Sequence, residues 1–231
     1  NNIAYNNEIT GEVIASGYDY DMHGHDGNDT LSMHICQFAL NAPTTASGPT
    51  TGTTSSSSSI TGAFYNNTIK MDGGDGNDSL YGGDGNDTMY GNTSLDTLYG
   101  GAGDDYISAG DGVDSVNGDA GNDTIYGGGG DDCLRGGQGN DLIFGEGVND
   151  LLFGDKDADT LFAVSGNNTM YGGQGNDSLI GGENDDLMFG DKGNDTLVAG
   201  GGNNTLYGGA DNDFLFGGTG NDLLFGDDGN D

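Results

Sequence analysis

Aspartate recurs at a nine-residue interval over most of this chain: Asp78, Asp87, Asp96, Asp105, Asp114, Asp123, Asp132, Asp141, Asp150, Asp159, Asp177, Asp186, Asp195, Asp213, Asp222 and Asp231, with Asp29 in an isolated copy of the same local sequence. Asn168 and Asn204 occupy the two places where the series is interrupted. Each aspartate ends a glycine-rich stretch such as Gly73-Gly74-Asp75-Gly76-Asn77-Asp78. Glycines at the first, second and fourth positions permit positive φ and close backbone approach, so carbonyl oxygens can face into a tight turn beside the carboxylate. If such turns stack at the roughly 4.8 Å spacing of a sheet, each gap between them is lined by two carboxylates and several carbonyls, a hard-oxygen environment suited to Ca2+. Two like charges about 5 Å apart repel by roughly 3 kcal/mol at an effective dielectric of about 20, so the stack needs cations to hold it together.

The strands on either side of these turns follow from the same period. From Gly73 the nine-residue repeat runs without slippage through seventeen full units, and Gly226 to Asp231 begin another. The eighth position is aliphatic or Met in every full unit, from Leu80, Met89 and Leu98 to Leu206, Leu215 and Leu224. It is therefore predicted to point into a core, with the seventh and ninth positions outward, because side chains alternate across a strand. A longer period of 36 residues overlies the first, since Gly166-Asn167-Asn168-Thr169-Met170-Tyr171 returns as Gly202-Asn203-Asn204-Thr205-Leu206-Tyr207. The array is expected to continue beyond residue 231.

The pattern G-G-x-G-x-D-x-U-x, with U aliphatic, resembles the RTX (repeats-in-toxin) calcium-binding family over about two-thirds of the chain. The resemblance implies an all-β fold: a right-handed parallel β-roll, a solenoid in which six residues turn, three form a short strand, and two nonapeptides make one coil with calcium in stacked turns on both sides. Alternate repeats then fall on opposite edges. One edge carries Asp87 to Asp231 at intervals of 18 and is expected to load fully. The other carries the Asp78 series with Asn168 and Asn204, and departs from glycine at Ser94, Val148 and Asn184, so its sites are expected to be weaker or partly empty. Asp157 and Asp211 replace glycine on the first edge, and local distortion is expected there. Nine turns a side allow up to about sixteen ions, whose thirty-two positive charges nearly cancel the formal net charge of -34.

Composition agrees with this and excludes other classes. Among 231 residues there are 49 Gly, 2 Pro and 38 acidic against 4 basic side chains. The scattered Lys70, Arg135, Lys156 and Lys192 offer no phosphate-binding patch, so nucleic acid is not expected as a partner. No apolar run reaches the roughly 20 residues that span a bilayer. Cys36 and Cys133 form no CxxC pair, though a single bridge between them stays open. His23 and His25 have the spacing of a metal pair, and no nucleophile with a base in credible context, phosphate loop or H-E-x-x-H motif appears, so the chain is not expected to be an enzyme.

Residues 1 to 72 read as an irregular capping segment with the isolated repeat at 24 to 32 and a Ser/Thr-rich excursion at 43 to 59, followed by the continuous roll from 73 to 231. Ile3, Tyr5, Ile9, Val13 and Ile14 are candidates for capping strands. The outward ninth position is unexpectedly aromatic, with Tyr81, Tyr90, Tyr99, Tyr126, Phe144, Phe153, Phe162, Tyr171, Phe189, Tyr207, Phe216 and Phe225, and Leu142, Leu151, Leu187, Phe214 and Leu223 join it at the seventh. Ladders of that kind are expected to pack against other copies of the chain or to stabilise neighbouring coils. The function expected is an extracellular, calcium-folded structural protein of a surface layer, fibril or sheath. The alternatives are the calcium-binding region of a secreted toxin or hydrolase, and an adhesin segment for ice or surface glycan.

Overall fold

The computed structural model describes residues 68–231 in full, together with the strand backbone of residues 8–12, 28–34 and 57–62. Every described strand pairs in parallel, and the strands form two sheets, one of twelve strands and one of nine. From Lys70–Asp75 onward, consecutive strands alternate between the sheets, so each sheet gains one strand every 18 residues. Ser79–Asp84, Thr97–Ala102 and Ser115–Ala120 follow one another in the twelve-stranded sheet; Thr88–Thr93, Tyr106–Asp111 and Thr124–Gly129 do so in the nine-stranded one. The parallel β-roll expected from the sequence is the fold observed.

The eighth position makes the core. Leu80, Met89, Leu98, Ile107, Ile125 and Leu134 are fully buried, and the row continues to Leu206. Identical register on both sheets stacks these side chains, as in Leu80↔Leu98 and Ile107↔Ile125. Each buried aliphatic side chain contributes roughly 1.5–3 kcal/mol of transfer free energy. The neighbouring seventh and ninth positions stay at least partly exposed, as strand alternation requires.

Two features differ from the sequence expectation. The strands are mostly six residues long, not three, because the second and third positions also pair between coils (Gly83↔Gly101 and Asp84↔Ala102). The turn proper is therefore confined to positions four to six. The roll pattern also starts before Gly73: Met71 occupies an eighth position in strand Lys70–Asp75, is buried, and pairs with Met89. In the twelve-stranded sheet the pairing runs further back, with Leu80 beside Ile60, Ile60 beside Leu31, and Leu31 beside Ile9. Ile3, Tyr5, Val13 and Ile14 lie outside the described residues.

Candidate cation-binding turns

Because strands alternate between sheets, the turns fall on two edges. Asp87, Asp105, Asp123, Asp141, Asp159, Asp177, Asp195 and Asp213 each precede a strand of the nine-stranded sheet, and Asp231 continues that series on the same edge. Asp78, Asp96, Asp114, Asp132, Asp150, Asn168, Asp186, Asn204 and Asp222 precede the twelve-stranded sheet. From Asp78 to Asp195 these side chains are almost inaccessible, with relative exposures of 1–3%. Asp222 and Asp231 lie in the last, exposed coil.

One carboxylate oxygen is used in the same way throughout. Oδ1 accepts the backbone N–H of the equivalent residue one coil earlier: Asp105 Oδ1 from Asp87 at 2.7 Å, Asp114 Oδ1 from Asp96 at 2.8 Å, and so on to Asp213 Oδ1 from Asp195 at 2.8 Å. The other oxygen is the informative one. In every carboxylate turn from Asp87 to Asp213, Oδ2 is buried and accepts no hydrogen bond. A buried carboxylate oxygen without a donor costs at least 1–3 kcal/mol, more when charged, so an entire row of them requires a compensating charge. Burial pushes the carboxyl pKa of Asp105 and Asp159 up to about 8, of Asp87, Asp96, Asp141 and Asp195 to about 7, and of Asp114, Asp123, Asp150, Asp177 and Asp186 to about 6. The ladder N–H opposes this rise, and neighbouring carboxylates add to it.

The two asparagines reveal what faces the second oxygen. Asn168 and Asn204 keep the ladder, their Oδ1 atoms accepting from Asp150 and Asp186 at 2.8 Å, so Nδ2 takes the place of Oδ2. Asn168 Nδ2 donates to the carbonyls of Ser165 and Gly166 and to Asp186 Oδ1 at 3.0–3.1 Å. Asn204 Nδ2 donates to Gly201 O, to Gly217 O of the next coil and to Asp222 Oδ1 at 3.1–3.4 Å. The second branch thus meets a shell of carbonyls from its own turn and oxygen atoms from the next. With Asp in place of Asn, all members of that shell are oxygen acceptors, the donor set of a calcium ion. Among the described residues no three His, Cys, Asp or Glu side chains converge, so backbone carbonyls must supply much of the coordination. The residues present therefore fit calcium.

The glycines divide into two roles. Positive φ occurs at the second and fourth positions, as at Gly83 and Gly85, whereas none of the first-position glycines is among the positive-φ residues. The first position is glycine for room: a Cβ on Gly82 would run into Asp87 Oδ2 and the Gly100 carbonyl. Asp157 and Asp211, expected to distort their turns, adopt φ of 72° and 83° and leave Asp159 and Asp213 buried. Asp and Asn tolerate this region better than most residues. Ser94 and Asn184 are accommodated in the same way. Around Val148 the regular pattern does break: the preceding strand, Leu142–Phe144, is only three residues long, and Val148 N–H donates backwards to Gly130 O at 3.0 Å.

Sequence reasoning missed the fifth position. There Asn122 N–H donates to Asp104 Oδ1 at 2.8 Å, Asn140 N–H to Asn122 Oδ1 at 2.8 Å, and Asn194 N–H to Asn176 Oδ1 at 2.7 Å. The other edge repeats this at Asn167, Asp185 and Asn203. This exposed ladder runs in the opposite direction to the aspartate ladder. The frequent Asn in the repeat was its only signal. The Asp29 side chain, His23, His25 and Cys36 lie outside the described residues, while Cys133 is exposed on the twelve-stranded sheet.

The family model for the RTX calcium-binding nonapeptide repeat (four copies) matches in eight segments that together cover residues 61–231. No curated protein shows significant similarity to the chain. Periodic Asp turns, a parallel roll and acceptor-lined carboxylates agree with that match, and the chain belongs to the RTX family of calcium-binding repeat proteins.

Proposed function

We propose that this chain is an extracellular structural module that folds around calcium and assembles with copies of itself through its outward faces, without catalytic activity. The observation that carries the assembly reading is the aromatic ladder on the twelve-stranded sheet. Phe153, Tyr171, Phe189, Tyr207 and Phe225 stack with ring centroids 4.8–5.1 Å apart and planes within 10° of parallel. Leu151, Leu187 and Leu223 share this outward face in every second coil, alternating with Thr169 and Thr205. A flat, regular apolar strip of this kind favours burial against a matching surface. RTX repeat proteins are typically secreted, and extracellular calcium fills weak sites that stay empty in cytosol, which couples folding to export.

The test is light scattering and electron microscopy of the purified chain as calcium is raised from chelated to about 10 mM. Ordered filaments or sheets that dissolve on chelation are expected. A calcium-loaded chain that stays monomeric at every concentration removes self-assembly and favours a folding region of a larger secreted toxin or hydrolase.

A further inference from the structure

Asn168 and Asn204 lie 36 residues apart on the same edge and share two of their three amide contacts. Each Nδ2 donates to the carbonyl three residues back, Ser165 or Gly201, and to the carboxylate Oδ1 of the following coil, Asp186 or Asp222; the third acceptor is Gly166 O for Asn168 and Gly217 O for Asn204. In the carboxylate turns from Asp87 to Asp213 the corresponding side-chain atom is a buried acceptor with no donor. We propose that these two amides are built-in substitutes for calcium, so that the gaps between Asn168 and Asp186 and between Asn204 and Asp222 close without an ion.

The chemistry is direct. A calcium ion stabilises an acceptor shell by placing positive charge among oxygen atoms. An amide NH2 places two polarised hydrogens in the same space and removes one carboxylate charge, so the following carboxylate has a donor and the local charge is lower. Coordination of an ion in the same gap would require displacing Nδ2 from its acceptors and would lose the carboxylate ligand. The first-position residues agree: the turns of Asn168 and Asn204 begin with Ala163 and Ala199, whose buried methyl groups occupy a place that is glycine in most turns. Ala109 precedes Asp114, so the methyl alone does not dictate the amide; the amide contacts carry the assignment.

This inference rests on calcium occupying the carboxylate turns, and the experiment separates the two. Ions bound at saturating calcium are counted by native mass spectrometry for the wild type, Asn168→Asp, Asn204→Asp and, in the reverse sense, Asp132→Asn. Each Asn→Asp change is expected to add one ion. Asp132→Asn is expected to remove one while the β circular dichroism signal persists, and it decides the question if the first two variants fail to fold. A wild type that binds many ions alongside variants with unchanged counts overturns the amide assignment. A wild type that binds no calcium overturns the calcium reading beneath it.

Discussion

The two edges of the roll are assembled from the same repeat but tolerate different departures from it. On the edge from Asp87 to Asp231, every first position is glycine and every sixth is aspartate. On the edge from Asp78 to Asp222, Ala109, Ala163 and Ala199 replace the first glycine, two amides replace carboxylates, Leu95 and Val113 interrupt the fifth-position ladder that Ala158 interrupts once on the other edge, and the turn at Glu146–Val148 is irregular. The parallel pairing resumes on both sheets after each of these changes. One edge thus buries an unbroken row of carboxylates that calls for added positive charge, whereas on the amide assignment proposed above the other meets part of that need from its own NH2 groups.

Chelation is the strongest way to press on this contrast. Folded-state carboxyl pKa values of about 6 to 8 lie above the ordinary aspartate value of 3.8, so the calcium-free roll binds more protons than the unfolded chain. That contribution to stability is complete below about pH 4 and is lost as pH rises through the folded values. In chelator, circular dichroism should therefore show most of the β signal lost at about pH 8 and a substantially larger part retained at about pH 5. Equal spectra at the two pH values would mean that the carboxylates are not what the ions neutralise.

A paired substitution should give the next largest effect. Asp123→Ala removes both the acceptor for Asp105 N–H and a candidate calcium ligand, and should lower unfolding free energy by about 3 kcal/mol while raising the calcium midpoint of folding. Asn168→Ala removes a ladder acceptor and three donor contacts, for about 2 kcal/mol, with the number of bound ions unchanged. Equal losses of bound calcium in the two variants would erase the distinction between edges. The smallest effect belongs to the exposed ladder common to both. Asn194→Ala should cost about 1 kcal/mol in urea denaturation at fixed calcium, since Ala158 already interrupts the same row. A loss exceeding that of Asp123→Ala would make the outer ladder, not the carboxylates, the main tie between coils.

Much of this architecture can be read from spacing alone. An aliphatic at each eighth position and an aspartate at each sixth specify which side chains enter the core and which close the turns, because both follow from a period that never slips. What spacing does not contain is the direction of a side chain relative to the next coil. The ties from Asp87 N–H to Asp105 Oδ1 and from Asn122 N–H to Asp104 Oδ1 join residues 18 apart in opposite senses, which only the assembled coils define. The role of Gly82 was misread for a related reason: glycine signals conformational freedom and lack of volume alike, and the nearby Asp87 Oδ2 distinguishes them. Asn168 looked like a weakened aspartate until its donor contacts were visible.

The three-residue strand Leu142–Phe144 has a mechanical consequence. Its two pairings join three residue pairs each, against five between Tyr106–Asp111 and Thr124–Gly129. Tension applied along the roll passes through every coil in series, while the ties within one interface share the load in parallel. All interfaces then bear the same force on unequal numbers of ties. Under extension the roll should yield first on either side of Leu142–Phe144 and at the equally short pairing of Ser57–Gly62 with Ser79–Asp84, leaving the coils between the breaks intact.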